Sequence, residues 1–172
     1  VERPLAAGAA LETIFRPPNP FLATVGIRIE PAAIGSGVAI RLDAMFGAMP
    51  VVFYEAIEAA IVETLRHGLH GWQVIDCVVV VTDAAHTAPM STAADFRKLT
   101  PLVLMAAVQA AGTVVCEPVH RFDLDLPTDA LAPVLPLLAR LHAMPDPPEA
   151  GLRTCRVSGE IAGSAYENEG KP

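Results

Sequence analysis

Residues 74–81, VIDCVVVV, constrain the fold of this chain more than any other stretch. Val78, Val79, Val80 and Val81 leave the segment no polar face, so a strand here must be covered on both faces or nearly so. The run is far shorter than the roughly 18 apolar residues of a membrane span, which makes it an interior strand. Helical patterns flank it. Upstream, Phe53, Ile57, Ile61 and Leu65 recur every fourth residue, Glu55, Glu58 and Glu63 fall largely off that stripe, and Gly68 ends the helix. Downstream, Ser91 and Thr92 are good N-caps, and Asp95 follows Thr92 at capping-box spacing. That helix should run to about Ala111 and stop at Gly112, with Pro101 bending it rather than breaking it.

Before these elements, RPPNP at 16–20 breaks any helix, and ATVGIRIE at 23–30 alternates with period two. A Gly35-Ser36-Gly37 turn then leads into a second alternating run, Val38, Ile40 and Leu42, and the two runs read as an antiparallel pair. After the second helix, residues 113–127 read as two strand pieces joined at Pro118, with Phe122, Leu124 and Leu126 on one face of the second. Thr128 is expected to cap a third helix carrying Leu131, Leu135, Leu138 and Leu141, interrupted by Pro136. MPDPPEAG at 144–151 reads as a loop, TCRVSGEIAG as a final strand, and SAYENEGKP as no further element. The order ββαβαβ followed by βαβ is that of an α+β protein, and the last three elements are too few to close a domain. The boundary is placed near Glu117-Pro118, giving regions 1–118 and 119–172.

The chain has 172 residues, is 52% hydrophobic and 18% charged, and carries a formal charge of −7. That charge argues against general binding to DNA or RNA through phosphates, but leaves room for a small neutral site within a larger machine. No membrane segment or signal peptide is visible, and the start at Val1 without a Met reads as an excised piece of a longer protein. Cys77, Cys116 and Cys155 are too widely spaced for a disulfide framework or zinc site. Buried free thiols suggest a cytoplasmic protein.

Catalytic patterns are mostly absent, so no catalytic, cofactor-binding or metal residue is assigned. Neither a P-loop nor GxGxxG occurs, and Gly35-Ser36-Gly37 precedes a strand rather than a helix. A small-molecule kinase would need such a loop to open a helix, which argues against that class; a plain dimerisation module would leave the loop at 86–90 unexplained. His67 and His70 straddle the helix end at Gly68, where a C-cap contact for His67 outweighs a metal pair. Asp76 is expected to bond to nearby backbone rather than act as a base, and Trp72 to anchor the helix–strand corner in the core. His120 and Arg121 read as packing between the two regions. What remains is HTAPM at 86–90, an uncharged loop stiffened by Pro89 and fixed at both ends, whose His86 and Met90 are groups of the kind that stack on unpaired bases.

GLHGWQVIDC, APMSTAADFRKLTP, AGTVVCEP and SGEI, in that order, resemble the tetracycline ribosomal protection proteins, translation GTPases related to elongation factor G; ERP at 2–4 and PPNPFLATVGIRIEP at 17–31 match the start of the same region. The similarity spans about residues 2–162, domain IV and the first half of domain V in that family. It implies a ribosomal protein S5 domain 2-like fold with a left-handed βαβ crossover, then an incomplete ferredoxin-like half-domain with an open sheet edge and scope for self-association. It also implies that GTP and Mg²⁺ belong to a GTPase domain upstream, so the fragment itself is not an enzyme.

By motif match, three loops are expected at one tip, where they contact small-subunit ribosomal RNA near the decoding site: Gly47, Ala48, Met49 and Pro50; Leu69, His70 and Gly71; and His86, Thr87, Ala88, Pro89, Met90 and Ser91. Where the family tends to carry an aromatic pair before this last tip, the sequence has His86 and Thr87, and His70 stands where an aromatic is common. The implied function is release of tetracycline from the ribosome; the alternative is an elongation factor G-like paralogue without drug protection.

Overall fold

The computed structural model describes residues 1–43, 49–151 and 153–163. The chain divides into two compact units, Val1–Cys116 and Glu117–Pro172. In the first, the elements are β1 (Glu2–Pro4), β2 (Gly8–Glu12), β3 (Ala23–Pro31), β4 (Val38–Leu42), α1 (Val51–Thr64), β5 (Cys77–His86), α2 (Ala93–Ala111) and β6 (Thr113–Val115). Its main sheet has the order β2-β3-β5-β4, and β1 pairs with β6 in a separate ribbon. Strand β3 is antiparallel to both β2 and β5, whereas β4 runs parallel to β5 and is joined to it through α1.

The Val-rich run therefore lies between two partners, with Val79, Val80 and Val81 all buried. This corrects the expected pairing of the two alternating runs, because β5 separates β3 from β4. The link between them crosses the start of β5: Ala32 N–H donates to the Asp76 carbonyl at 2.8 Å, and Cys77 N–H to the Gly37 carbonyl at 3.0 Å. Over Cys77–Val81, its buried part, β5 thus has partners on both edges, as a buried strand requires.

The two helices pack with the sheet around one core. Ala23, Val25, Ile27 and Ile29 supply the β3 face, and Phe53, Ile57, Ile61 and Leu65 of the first helical stripe are all buried in the same core. Helix α2 contributes Phe96, Leu99, Val103, Leu104, Ala107 and Val108. It starts after Thr92 and ends at Gly112, whose φ of 66° closes it, as the capping pattern indicates. Pro101 lies inside it. No helix among the described residues is long and apolar enough to cross a membrane.

The second unit contains β7 (Val119–Pro127), α3 (Leu131–Arg140), β8 (Met144–Pro145), β9 (Glu149–Ala150) and β10 (Thr154–Ala162). Its sheet runs β7-β10-β8, with β9 also pairing β10, and every pair is antiparallel. The segment expected as a loop thus supplies two short strands. Pairing there needs no apolar side chain: a Cβ on Gly159 would lie 2.5 Å from the Met144 carbonyl oxygen, so glycine is what admits the close approach. Thr128 is not the helix cap; it opens a 3₁₀ turn, Thr128–Ala130, without a side-chain capping bond. Cys77 and Cys155 are buried free thiols, and Cys116 is only half-buried.

Gly8 tests the packing of β2 on α2. A Cβ there would sit 2.2 Å from the Ala107 carbonyl oxygen and 2.4 Å from the Ala111 nitrogen, both helix backbone. Gly8→Ala should therefore destabilise the chain by about 1–3 kcal/mol in urea unfolding. An unchanged midpoint would mean that β2 does not rest on α2 as described.

Candidate functional site

His86 closes β5, and the turn that follows is short and tightly bonded. Met90 N–H and Ser91 N–H both donate to the Thr87 carbonyl, at 2.8 and 2.9 Å. Ala88, Pro89 and Met90 are exposed, Thr87 and Ser91 half-buried, and the Ala88–Pro89 peptide is cis. The Ser91 hydroxyl accepts from Thr87 N–H at 2.8 Å and donates to the Leu22 carbonyl. One residue on, the Asp95 carboxylate accepts from the Thr92 N–H and hydroxyl at 2.8 and 2.7 Å, closing the helix cap, and weakly from Leu22 N–H at 3.4 Å. Burial pushes the Asp95 pKa up, but these hydrogen bonds and nearby Lys98 outweigh it and hold it below the usual carboxylate value.

His86 itself is at the foot of the turn rather than its tip. Its ring meets Phe53 edge-on, with centroids 5.5 Å apart, and Phe53 stacks on Phe96 at 4.8 Å. The cause is a β-bulge. Opposite Gly26 and Ile27, β5 places Asp83 and Val81, leaving Thr82 unpaired. This extra residue shifts the side-chain phase, so Ala84 and His86 face the core while Asp83 and Ala85 are exposed. Period-two reading of the sequence misses such a shift.

Strand β4 runs towards the same end of the unit. Leu42 pairs with Val81, and Asp43 N–H donates to the Val81 carbonyl at 3.1 Å. Gly47 and Ala48 lie outside the described residues. Met49 packs partly against the core, and exposed Pro50 precedes α1. Val51 and Val52 are also exposed, and the Phe53–His86 contact sets the start of α1 beside the 87–91 turn. At this end Pro50, Val51, Val52, Ala88, Pro89 and Met90 are all exposed and uncharged. Sequence reasoning overlooked Val51 and Val52; their signal is two valines off the buried stripe of α1.

The third loop is not at this end, which corrects the expectation of one common tip. Leu69, His70 and Gly71 precede β5, and their neighbour Glu2 is bonded to the segment leading into it: Glu2 N–H donates to the Gln73 carbonyl, and Ile75 N–H to the Glu2 carbonyl, at 2.7 and 2.9 Å. A ten-residue strand, about 30 Å long, separates that end from His86. There the fully buried Glu2 carboxylate accepts from the N–H groups of Leu69, His70 and Trp72 at 2.9, 2.8 and 3.1 Å, and from the Thr113 hydroxyl at 2.8 Å. Burial raises its pKa, but the His70 N–H, the Thr113 hydroxyl and the Trp72 and Leu69 N–H groups more than compensate, so the net shift is downward.

Trp72 is 58% exposed rather than a core anchor. Its backbone is held by Gly68 N–H and by Glu2, so the side chain is left outside. Asp76, also buried, accepts from Gly37 N–H at 3.1 Å and Arg3 Nε at 2.9 Å, a structural role as the sequence reading has it. His67 and His70 are both exposed, and no metal-holding cluster of His, Cys, Asp and Glu occurs among the described residues.

A sequence profile described as elongation factor G, domain IV, matches residues 9–112. The chain belongs to this family. It is 43% identical over 144 residues to tetracycline resistance protein TetM of Streptomyces lividans, covering 83% of this chain and 22% of that protein. It is 40% identical over 147 residues to TetP of Clostridium perfringens, with 86% and 22% covered. With the oxytetracycline resistance protein of Streptomyces rimosus it shares 41% over 167 residues, 94% and 25% covered. The chain thus spans about a quarter of the length of these relatives. A crystal structure of a Thermus thermophilus protein, 21% identical, superposes with a TM-score of 0.81 over 96% of this chain and 25% of that one, a likeness of fold.

The folded-state pKa of Glu2 lies below its unfolded value of about 4.5, so its stabilisation is present above that value and is lost as pH falls through the folded pKa. Glu2→Gln exchanges one acceptor oxygen for a donor facing N–H groups, and should cost about 1–3 kcal/mol at pH 7. It should also flatten the acid limb of the stability profile. Trp72, the single tryptophan, should be freely quenched by acrylamide in the folded parent; a protected indole would contradict its exposed placement.

Proposed function

We propose that the exposed end formed by the 87–91 turn and the start of α1 is a ribosome-contacting tip, and that the polypeptide to which this sequence belongs releases tetracycline from the small subunit near the decoding site. The observation that carries this reading is an apolar, uncharged turn pinned at both ends on a rigid support. Such a surface can stack on unpaired bases, at about 1–3 kcal/mol per base, without the indiscriminate attraction of a basic loop. Its placement is consistent with that role. Val1 and Cys116, where the backbone enters and leaves the first unit, are bonded to each other beside Glu2, at the end remote from the turn. The relatives' names supply the drug.

On the same reading, the first unit has the S5 domain 2-like fold with its left-handed crossover, and the second, with the short β8 and β9 both pairing β10 in place of one full strand, is the first βαββ part of a ferredoxin-like domain. GTP, Mg²⁺ and ribosome-dependent hydrolysis would belong to a separate region, since no phosphate-binding loop motif occurs in this sequence. Cytoplasmic location follows from a ribosomal partner. His86 and Thr87 in place of an aromatic pair favour, as the second reading, an elongation factor G-like paralogue that visits the ribosome without displacing the drug.

The test is cell-free translation in the presence of tetracycline, with the longer polypeptide carrying this sequence added intact or with Ala88, Pro89 and Met90 all replaced by Gly. Intact protein should restore synthesis and the variant should not. If neither restores it while ribosome-stimulated GTP hydrolysis persists, the drug-releasing reading is replaced by the paralogue reading. Equal rescue by both would remove the turn from the mechanism.

A further inference from the structure

We propose that Ser91 is the positioning residue of the exposed turn: through one hydroxyl it fixes the turn to strand β3, and thereby sets where Pro89 and Met90 point. The proposal deepens the tip reading above and rests on it for its functional consequence.

The Ser91 hydroxyl has two well-defined partners on different segments. It accepts from Thr87 N–H at 2.8 Å, across the mouth of the turn, and donates to the Leu22 carbonyl, just ahead of β3. A hydroxyl is the smallest group able to do both at once. The Leu22 side of this clamp is itself held: Asn19 accepts from Phe21 N–H at 2.9 Å and donates to the Ala23 carbonyl at 2.8 Å, which shapes the backbone around Leu22. Thr87 N–H has no sheet partner to fall back on, because the β3–β5 ladder ends at the Ala23–His86 pair.

Helix capping does not require Ser91. Thr92 is the N-cap, and its box is closed by Asp95. Ser91 is thus free to act on the turn alone, although its position before a helix invites a reading as a cap. Without its hydroxyl, the turn keeps only its internal bonds from Met90 and Ser91 N–H to the Thr87 carbonyl, which hold its shape but not its direction. The exposed groups would then sample a range of orientations, and ordering them on a partner would oppose binding.

The test compares Ser91→Ala, Ser91→Thr and Thr92→Ala with the parent. In the 172-residue chain, hydrogen exchange of the Thr87 amide, read by NMR, should accelerate about tenfold or more in Ser91→Ala and return towards the parent rate in Ser91→Thr. Thr92→Ala loses the helix cap and should lower overall stability while leaving Thr87 protected, so a merely structural role would not reproduce the pattern. In translation with tetracycline, the longer polypeptide carrying Ser91→Ala should need about tenfold more protein for half-maximal rescue, and Ser91→Thr close to the parent amount. An unchanged Thr87 exchange rate in Ser91→Ala, or equal rescue by Ser91→Ala, overturns the proposal. If even the parent gives no rescue, the drug-releasing reading fails, and the exchange pattern alone decides whether Ser91 holds the turn.

Discussion

The parallel pairing of β4 with β5 decides where everything in the first unit can be. Parallel neighbours point their ends the same way, so β4 and β5 both run towards one end of the unit, β4 stopping opposite Val81 and β5 going on to His86. The same pairing forces a long return, which α1 provides, and carries the segment before β5 to the far end. Met49 and Pro50, the described part of one loop singled out in the sequence, therefore lie at the same end as the 86–91 turn, and the 69–71 loop cannot join them. The pairing follows from the Val run: a buried strand needs hydrogen-bonding partners on both edges, and β3 occupies only one.

At the far end, two buried carboxylates are managed in different ways. Asp76 has a cation, Arg3, as well as Gly37 N–H, and it secures the link that crosses from β3 to β4. For Glu2, three backbone N–H groups and a hydroxyl replace hydration. Oriented donors of this kind stabilise a charge without the entropy cost of a flexible lysine or arginine. They also make the 69–72 loop a fixed shape, which is why Trp72 can remain outside: the loop is held by its backbone and does not need the indole as an anchor.

Local signals in the sequence were legible and nonlocal ones were not. The ends of α2 at Thr92 and Gly112 rest on capping chemistry within a few residues, and the α1 stripe from Phe53 to Leu65 rests on helical periodicity. Strand partners are different, because two alternating runs look equally ready to pair whether or not a third strand lies between them. The short strands at Met144–Pro145 and Glu149–Ala150 pair through backbone opposite β10, and a Pro-rich segment gives little sign of that. Burial of Trp72 was inferred from residue type, and the competing factor was a carboxylate seventy residues away in sequence. Of the candidate site, the exposed turn was visible as composition, but its support was not: nothing local to 86–90 points to Leu22, Phe53 or the bulge at Thr82.

That bulge bears on how departures at the tip should be weighed. Positions 86 and 87 are where the resemblance leads one to look for aromatic contact residues, yet both are half-buried in this chain. The phase shift at Thr82 turns residue 86 towards Phe53, so its side chain meets the protein's own aromatic stack. Histidine there keeps a flat ring against Phe53 while filling less space than a tyrosine or phenylalanine. Its effect is then on the seat of the turn, and the surface offered outward is set by residues 88–90 and by Val51 and Val52. A change at the seat alters the angle of that surface and not its chemistry, so its consequences should depend on how firmly the remaining contacts, those of Ser91 with Thr87 and Leu22, fix the turn.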